Sequence, residues 1–230
     1  MAQDRLLAEI AGVSALAEPV RRALYLYVCA QESEVTRDRA AAAVDTSRSM
    51  AGFHLDRLVE EGLLEASFRR LTGRSGPGAG RPAKLYRRSA REVSVSLPHR
   101  RYDLAAEVLA DAIERSLDGT PTNEAIVAAS DAAAQRAVQE TATAPHQRRA
   151  GELDRLATTL APFGYEPKVE DDLVLANCPF DRLAGEHREL VCGMNLAFVC
   201  SVADRLGCSG VRAELDPMDG GCCVRVVPTD

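Results

Sequence analysis

The chain has 230 residues, 46% of them hydrophobic and 27% charged, with a net charge of −6. That is the stock of one or two ordinary globular domains, and no apolar run approaches the ~18 residues that a membrane-spanning helix needs. Seven cysteines, an odd number, fit poorly with a closed set of disulfides; with no signal-peptide pattern at the N-terminus, the expected compartment is the reducing cytoplasm, which excludes a disulfide-framed secreted domain.

Residues 3–16 read as an amphipathic helix. "EPVRRALYLYVCA" starts a second, with Pro19 at a favoured first-turn position and Leu24, Tyr27 and Val28 as its apolar stripe. Thr36 can cap a short Ala-rich helix in "SEVTRDRAAAAV". "SRSMAGFHLDRLVEEG" is a helix of about four turns, with Ala51, Leu55, Leu58 and Val59 at core spacing and Gly62 as its stop. The period then changes, because "LLEASFRR" and "KLYRRS" are strand-like runs joined by the Gly- and Pro-rich "LTGRSGPGAGRPA". Helix, helix, turn, helix and β-hairpin is the winged helix-turn-helix order. The glycines lack the spacing and setting of a phosphate-binding loop.

Residues 99–117, "TPTNEAIVAASDAAAQRAVQETA" and "RRAGELDRLATTLAPFG" read as further helices, the first with Leu104, Val108, Leu109 and Ile113 along one side. They suit a homodimer, because helix-turn-helix operators mirror a two-fold protein. From 165 the pattern is mixed, with strands in "YEPKVEDDLVLANC", "VRAELDP" and "CCVRVV" around a helical stretch over 179–206. The expected fold class is mainly α with α+β parts. The expected domains are a winged helix-turn-helix at 1–92, a helical dimerisation region at 93–164 and a small α+β sensor domain at 165–230.

The charge is uneven, with 15 Lys and Arg against 12 Asp and Glu in residues 1–92, and 13 against 22 in the rest. Eight bases and no acid fall in 69–91, which suggests a surface for phosphate. A solvated charged face and a winged helix used only for protein contacts are the bland alternatives. In a helix-turn-helix the start of the second helix enters the major groove of double-stranded DNA. With Ala51, Leu55 and Leu58 turned inward, Arg48, Ser49, Gly52 and Phe53 face outward; Arg48 can read guanine and Phe53 can touch a thymine methyl. Thr36 joins them at the start of the preceding helix. His54 either contacts phosphate or covers the core edge. Arg74 and Arg81 at the hairpin tip can enter the minor groove, with Lys84 and Arg87 on the backbone.

"SRSMAGFHLDRLVEEGLL" followed by "GRPAKLYRRS" resembles the ArsR-like winged-helix transcriptional regulators. "NCPFDRLAGEHRELVCGMN" and "LDPMDGGCCVRV" resemble the subgroup that includes the SufR-type repressors, which sense iron–sulfur clusters and repress cluster-assembly genes. By those motifs the resemblance implies that Cys178, Cys192 and Cys222 carry a cluster, of the 4Fe-4S or 2Fe-2S type. The pattern departs from some members in "ELDPMDGG", which holds no thiol, so the fourth ligand is open between Cys223 and His187.

Geometry adds a condition. Along one straight helix Cys178 and Cys192 would lie about 20 Å apart, from ~1.5 Å rise per residue, so the chain must break between them, near Gly185–His187. Neighbours on a strand point to opposite faces, and Cys222 shares the apolar face with Val224 and Val226, which favours it over Cys223. His187 falls on an apolar stripe, where a histidine either packs or ligates. Cys29, Cys200 and Cys208 read as small core residues. The rivals to a cluster are a zinc site of Cys178, His187, Cys192 and Cys222, and buried reduced cysteines that hold nothing. No catalytic triad order, paired-carboxylate motif or nucleotide loop stands out and the winged helix argues against an enzyme; the resemblance implies a repressor. A cluster-carrying redox protein or enzyme is the competing class.

Overall fold

The computed structural model describes residues 2–70, 82–141, 150–218 and 220–229, with side chains from Leu6 onward. It is a mixed α/β structure in which helices predominate over two small antiparallel sheets. The chain packs as two compact units, Met1–Val95 and Ser96–Asp230. No helix among the described residues is long and apolar enough to cross a membrane.

In the first unit α1 spans Ala2–Ala15 and α2 spans Pro19–Cys29. The Glu18 carboxylate caps α2 by accepting from the amides of Val20 and Arg21, and Pro19 occupies a first-turn position where no amide is needed. α3 (Arg37–Ala43) starts at Thr36, whose hydroxyl accepts from the Arg39 amide, and α4 (Arg48–Glu60) starts at Ser47 in the same way. Ala51, Leu55 and Leu58 recur at helical spacing and are fully buried against Leu24, Val28 and Ala40. α4 stops where Gly62 takes φ 71° and the Leu63 amide returns to the Leu58 carbonyl, a left-handed turn suited to glycine. β1 (Val35–Thr36), β2 (Leu64–Arg69) and β3 (Ala83–Arg88) form a sheet in the order β1-β3-β2, with Ala66 opposite Tyr86. β1 is two residues long and carries no alternation, so periodicity could not find it.

In the second unit α5 spans Tyr102–Leu117, α6 Thr122–Thr141 and α7 Glu152–Leu160, and a single 3₁₀ turn, Ala161–Phe163, ends at Gly164 with φ 88°. β4 (Pro167–Val169), β5 (Leu173–Leu175), β6 (Val211–Leu215) and β7 (Val224–Pro228) form a sheet in the order β4-β5-β7-β6. Between β5 and β6 run α8 (Asp181–Glu186) and α9 (Arg188–Arg205). The inward face of α6 is Ala125, Ala129, Ala133, Ala134 and Ala137, small side chains that let α5 and α9 lie close on either side.

The boundary expected at 164 does not separate two cores. Leu104 and Val108 of α5, Leu156 of α7, Val199 of α9 and Val226 of β7 belong to one apolar cluster. Ile113, expected on the packed stripe of α5, is exposed, because the helix turns Leu104, Ala105, Val108 and Ala112 inward instead.

Candidate functional site

In the first unit the start of α4 stands clear of the core. Arg48, Ser49, Met50 and Phe53 are exposed, Phe53 by 65%. Met50 belongs to this face as well, one turn before Phe53; the sequence reading passed over it because an apolar residue at helical spacing suggests core. The Arg48 guanidinium lies 2.8 Å from the Asp38 carboxylate of α3. Thr36 is half-buried, and its hydroxyl is engaged by the Arg39 amide at 3.1 Å.

Gly52, expected to face outward, does not, and His54, open between phosphate and core edge, takes the core edge. Gly52 is buried beneath the Arg37 side chain, which lies within 2.6 Å of where a Cβ would stand. Glycine leaves room there for Arg37 to reach Tyr86 and Asp56. His54 is only 5% exposed. It accepts from Arg21 Nε at 3.3 Å and lies 3.6 Å from the Glu18 carboxylate, so it covers the core edge and joins α4 to the cap of α2.

The bases of the hairpin strands are also engaged. Lys84 Nζ and the Tyr86 hydroxyl donate to the same Asp56 oxygen at 2.8 and 2.7 Å. Burial works against the Asp56 charge, but the hydrogen bonds from Lys84 and Tyr86 hold its carboxyl below the ordinary value. Burial, reinforced by Asp56, pushes the Tyr86 phenol up to about 12. Lys84 therefore braces β3 on α4 rather than standing free on the surface. Arg87 is exposed and gives two hydrogen bonds to one Glu65 oxygen, at 2.7 and 3.0 Å. Arg74 and Arg81 lie outside the described residues.

In the second unit the chain breaks between α8 and α9 at His187, which takes φ −132° and ψ 52°. The expected break is therefore present, carried by His187 rather than by Gly185. His187 is exposed, not on a packed stripe, because the break turns it out of both helices.

The bent segment brings the cysteines of "NCPFDRLAGEHRELVCGMN" to the stretch before β7. Cys192, on α9, is joined by a disulfide to Cys223, with Cα atoms 6.6 Å apart. The expectation of thiols reduced throughout is thus corrected at this pair. Cys178 and Cys222 are free, buried and hydrogen-bonded to each other. Cys222 and Cys223 are consecutive, so the two pairs are linked along the chain. Cys222 lies on the buried side with Val224 and Val226, as the strand alternation requires, and Cys223 is only half-buried.

The hydrogen bond from Cys222, aided by the Phe180 amide and opposed by burial, lowers the pKa of the Cys178 thiol. The hydrogen bond to Cys178, and burial after that, push Cys222 up. Asn195 Nδ2 donates to Cys222 Sγ at 3.0 Å, and the Tyr165 hydroxyl donates to Asn195 Oδ1 at 2.5 Å. Asn177 Nδ2 donates to the carbonyls of His99 and Gly164, and Arg100 donates to Asn177 Oδ1 and to the Cys178 carbonyl. These four residues were not singled out from sequence. The usable signal was the spacing of Cys192 and Asn195, one helical turn apart on one face.

Among the described residues, no group of three or more His, Cys, Asp or Glu side chains is placed to hold a metal ion. With Cys192 and Cys223 bonded to each other, the disulfide form offers two free thiols at this site, Cys178 and Cys222. Cys208 lies apart and faces the Glu152 carbonyl at 3.8 Å; Cys29 pairs with Tyr25, and Cys200 is half-buried on α9. Compared with known proteins, the chain matches no family model, no curated protein and no solved structure.

Proposed function

We propose that the chain is a sequence-specific DNA-binding transcription regulator whose first unit is a winged helix-turn-helix and whose second unit senses an iron–sulfur cluster on its cysteines. The observation that carries the DNA reading is the presentation of α4. Its N-terminal turns leave Arg48, Ser49, Met50 and Phe53 exposed, while Ala51, Leu55 and Leu58 bind it to the core. A helix of this kind, followed by a β-hairpin, suits the major groove.

On this reading Arg48 leaves Asp38 and donates to guanine O6 and N7, and Met50 and Phe53 lie against thymine methyls. The exchange is cheap, because an exposed ion pair is worth about 0–1 kcal/mol. Arg87 can change its partner from Glu65 to a backbone phosphate for the same reason. Gly52 and His54 are support rather than contact. The chain acts as a homodimer, because a palindromic operator needs two such helices. Ile113 and Leu117 on α5 and Val127 on α6 are exposed apolar residues available for that contact.

The donor set fits a soft, thiolate-bound group. Cys178 and Cys222 lie in the apolar core, next along the chain to the Cys192–Cys223 pair, and an amide N–H is directed at Cys222. Two electrons and two protons from a cellular dithiol convert the Cys192–Cys223 disulfide to thiols, after which Cys178, Cys192, Cys222 and Cys223 would hold the group. Bound there, a cluster would supply a redox- and iron-responsive tie between α9 and the stretch before β7. The likeness of these motifs to the SufR-type repressors makes cluster-assembly genes the proposed targets. Iron, sulfide and zinc analysis of anaerobically reduced protein separates this from the zinc alternative: stoichiometric zinc without sulfide would replace the cluster.

The base-reading step has its own test. Arg48→Ala should cost about 1–3 kcal/mol at one base pair and relax specificity there. Fluorescence anisotropy over single-base variants of the upstream DNA measures it. A loss spread evenly over all variants would show that Arg48 meets only phosphate.

A further inference from the structure

We propose that Asn195 is the positioning residue of the cysteine site: its side-chain amide fixes the Cys222 sulfur as a hydrogen-bond acceptor, and Tyr165 sets which end of the amide faces it. The consequence for ligand strength rests on the metal-centre reading above; the hydrogen bond itself does not.

A primary amide has a donor end and an acceptor end, and either fits against a thiol. What decides between them here is Tyr165. Its hydroxyl donates to Asn195 Oδ1 at 2.5 Å. With Oδ1 occupied, Nδ2 is left for Cys222 Sγ at 3.0 Å. Both side chains are nearly excluded from water, Asn195 at 1% exposure and Tyr165 at 2%. An unsatisfied amide there would be costly, so the arrangement is held. The Tyr165 ring is itself fixed, stacked on Phe198 and edge-on to Phe180 with centroids 6.5 Å away in each case.

The donor also suits the neighbouring sulfur. The N–H of Asn195, directed at Cys222 Sγ, draws charge from the sulfur. α9 thus carries Cys192 and, one turn later, the group that aims Cys222. Groups that orient a ligand in this way typically change metal affinity by about 10–100-fold when removed.

Two measurements test this on the full-length, reduced, metal-free chain. In the first, nitrogen-labelled protein reports side-chain amide exchange by NMR. One Asn195 Nδ2 proton should exchange with water at least about tenfold more slowly than those of exposed Asn123, and the protection should disappear in Cys222→Ala and Tyr165→Phe. Exchange as fast as in Asn123 would overturn the inference. In the second, cobalt(II) serves as the probe. Asn195→Leu should weaken its binding about tenfold and move the sulfur-to-cobalt charge-transfer band to lower energy. Unchanged affinity and band position would overturn the positioning role. If the wild-type chain takes up no cobalt, the metal-centre reading fails, and the amide exchange alone decides on Asn195.

Discussion

Asn177 joins three stretches of the second unit through one side chain. Its Nδ2 donates to the carbonyls of His99 and Gly164 at 2.9 and 2.5 Å, and its Oδ1 accepts a hydrogen bond from Arg100 at 2.8 Å. Arg100 also holds the carbonyl of Cys178, so the backbone beneath the lowered thiol is fixed from the same hub. Leucine fills a similar volume but leaves the buried carbonyls without donors. Asn177→Leu should therefore destabilise the chain by about 3 kcal/mol, read as a lower urea midpoint at unchanged slope. A loss below about 0.5 kcal/mol would mean that water replaces the amide without cost. Polar residues of this kind could not be picked out in advance. An asparagine beside a cysteine has no periodic signature, and its partners lie in residues 99, 100 and 164.

At the scale of elements, α4 and β3 are tied by charge as well as by apolar contact. Asp56 accepts from Lys84 and Tyr86, and Arg37 of α3 lies 3.6 Å from it. Its folded pKa is below the ordinary carboxylate value, so the unfolded chain takes up a proton first as pH falls. The stabilisation is complete above the ordinary value and is lost as pH drops through the folded one. Melting temperatures of the native chain and of Asp56→Asn should therefore differ at neutral pH and converge in acid; a constant gap down to pH ~2.5 would remove Asp56 from that role. Elements of this unit were legible where local chemistry sets them. Ser47, Thr36 and Gly62 mark helix ends through bonds to amides and carbonyls only a few residues away. The outward face of α4 was legible only in part. Gly52 and His54 are drawn inward by Arg37, Arg21 and Glu18, which belong to other elements. The break between the cysteines followed from distance alone. Its residue did not, because His187 has no breaker chemistry of its own.

At the scale of the whole molecule, the first unit leaves the start of a capped helix exposed, and the second holds two cysteine pairs, with the Asn195 amide on Cys222. The core that joins α5, α6 and α9 to the sheet makes the cysteine site part of the same body as the helices proposed to pair two copies. If the proposed group binds there, its gain or loss should change the affinity for DNA, with a coupling of about 1–3 kcal/mol, or 5–150-fold. The direct measurement is the affinity of the anaerobically reconstituted chain and of the reduced, stripped chain for the DNA upstream of its own gene, each against scrambled DNA of the same length at physiological salt. The account predicts a clear preference for the native DNA in one form and a loss of at least about fivefold in the other. Equal affinity for native and scrambled DNA in both forms would contradict it.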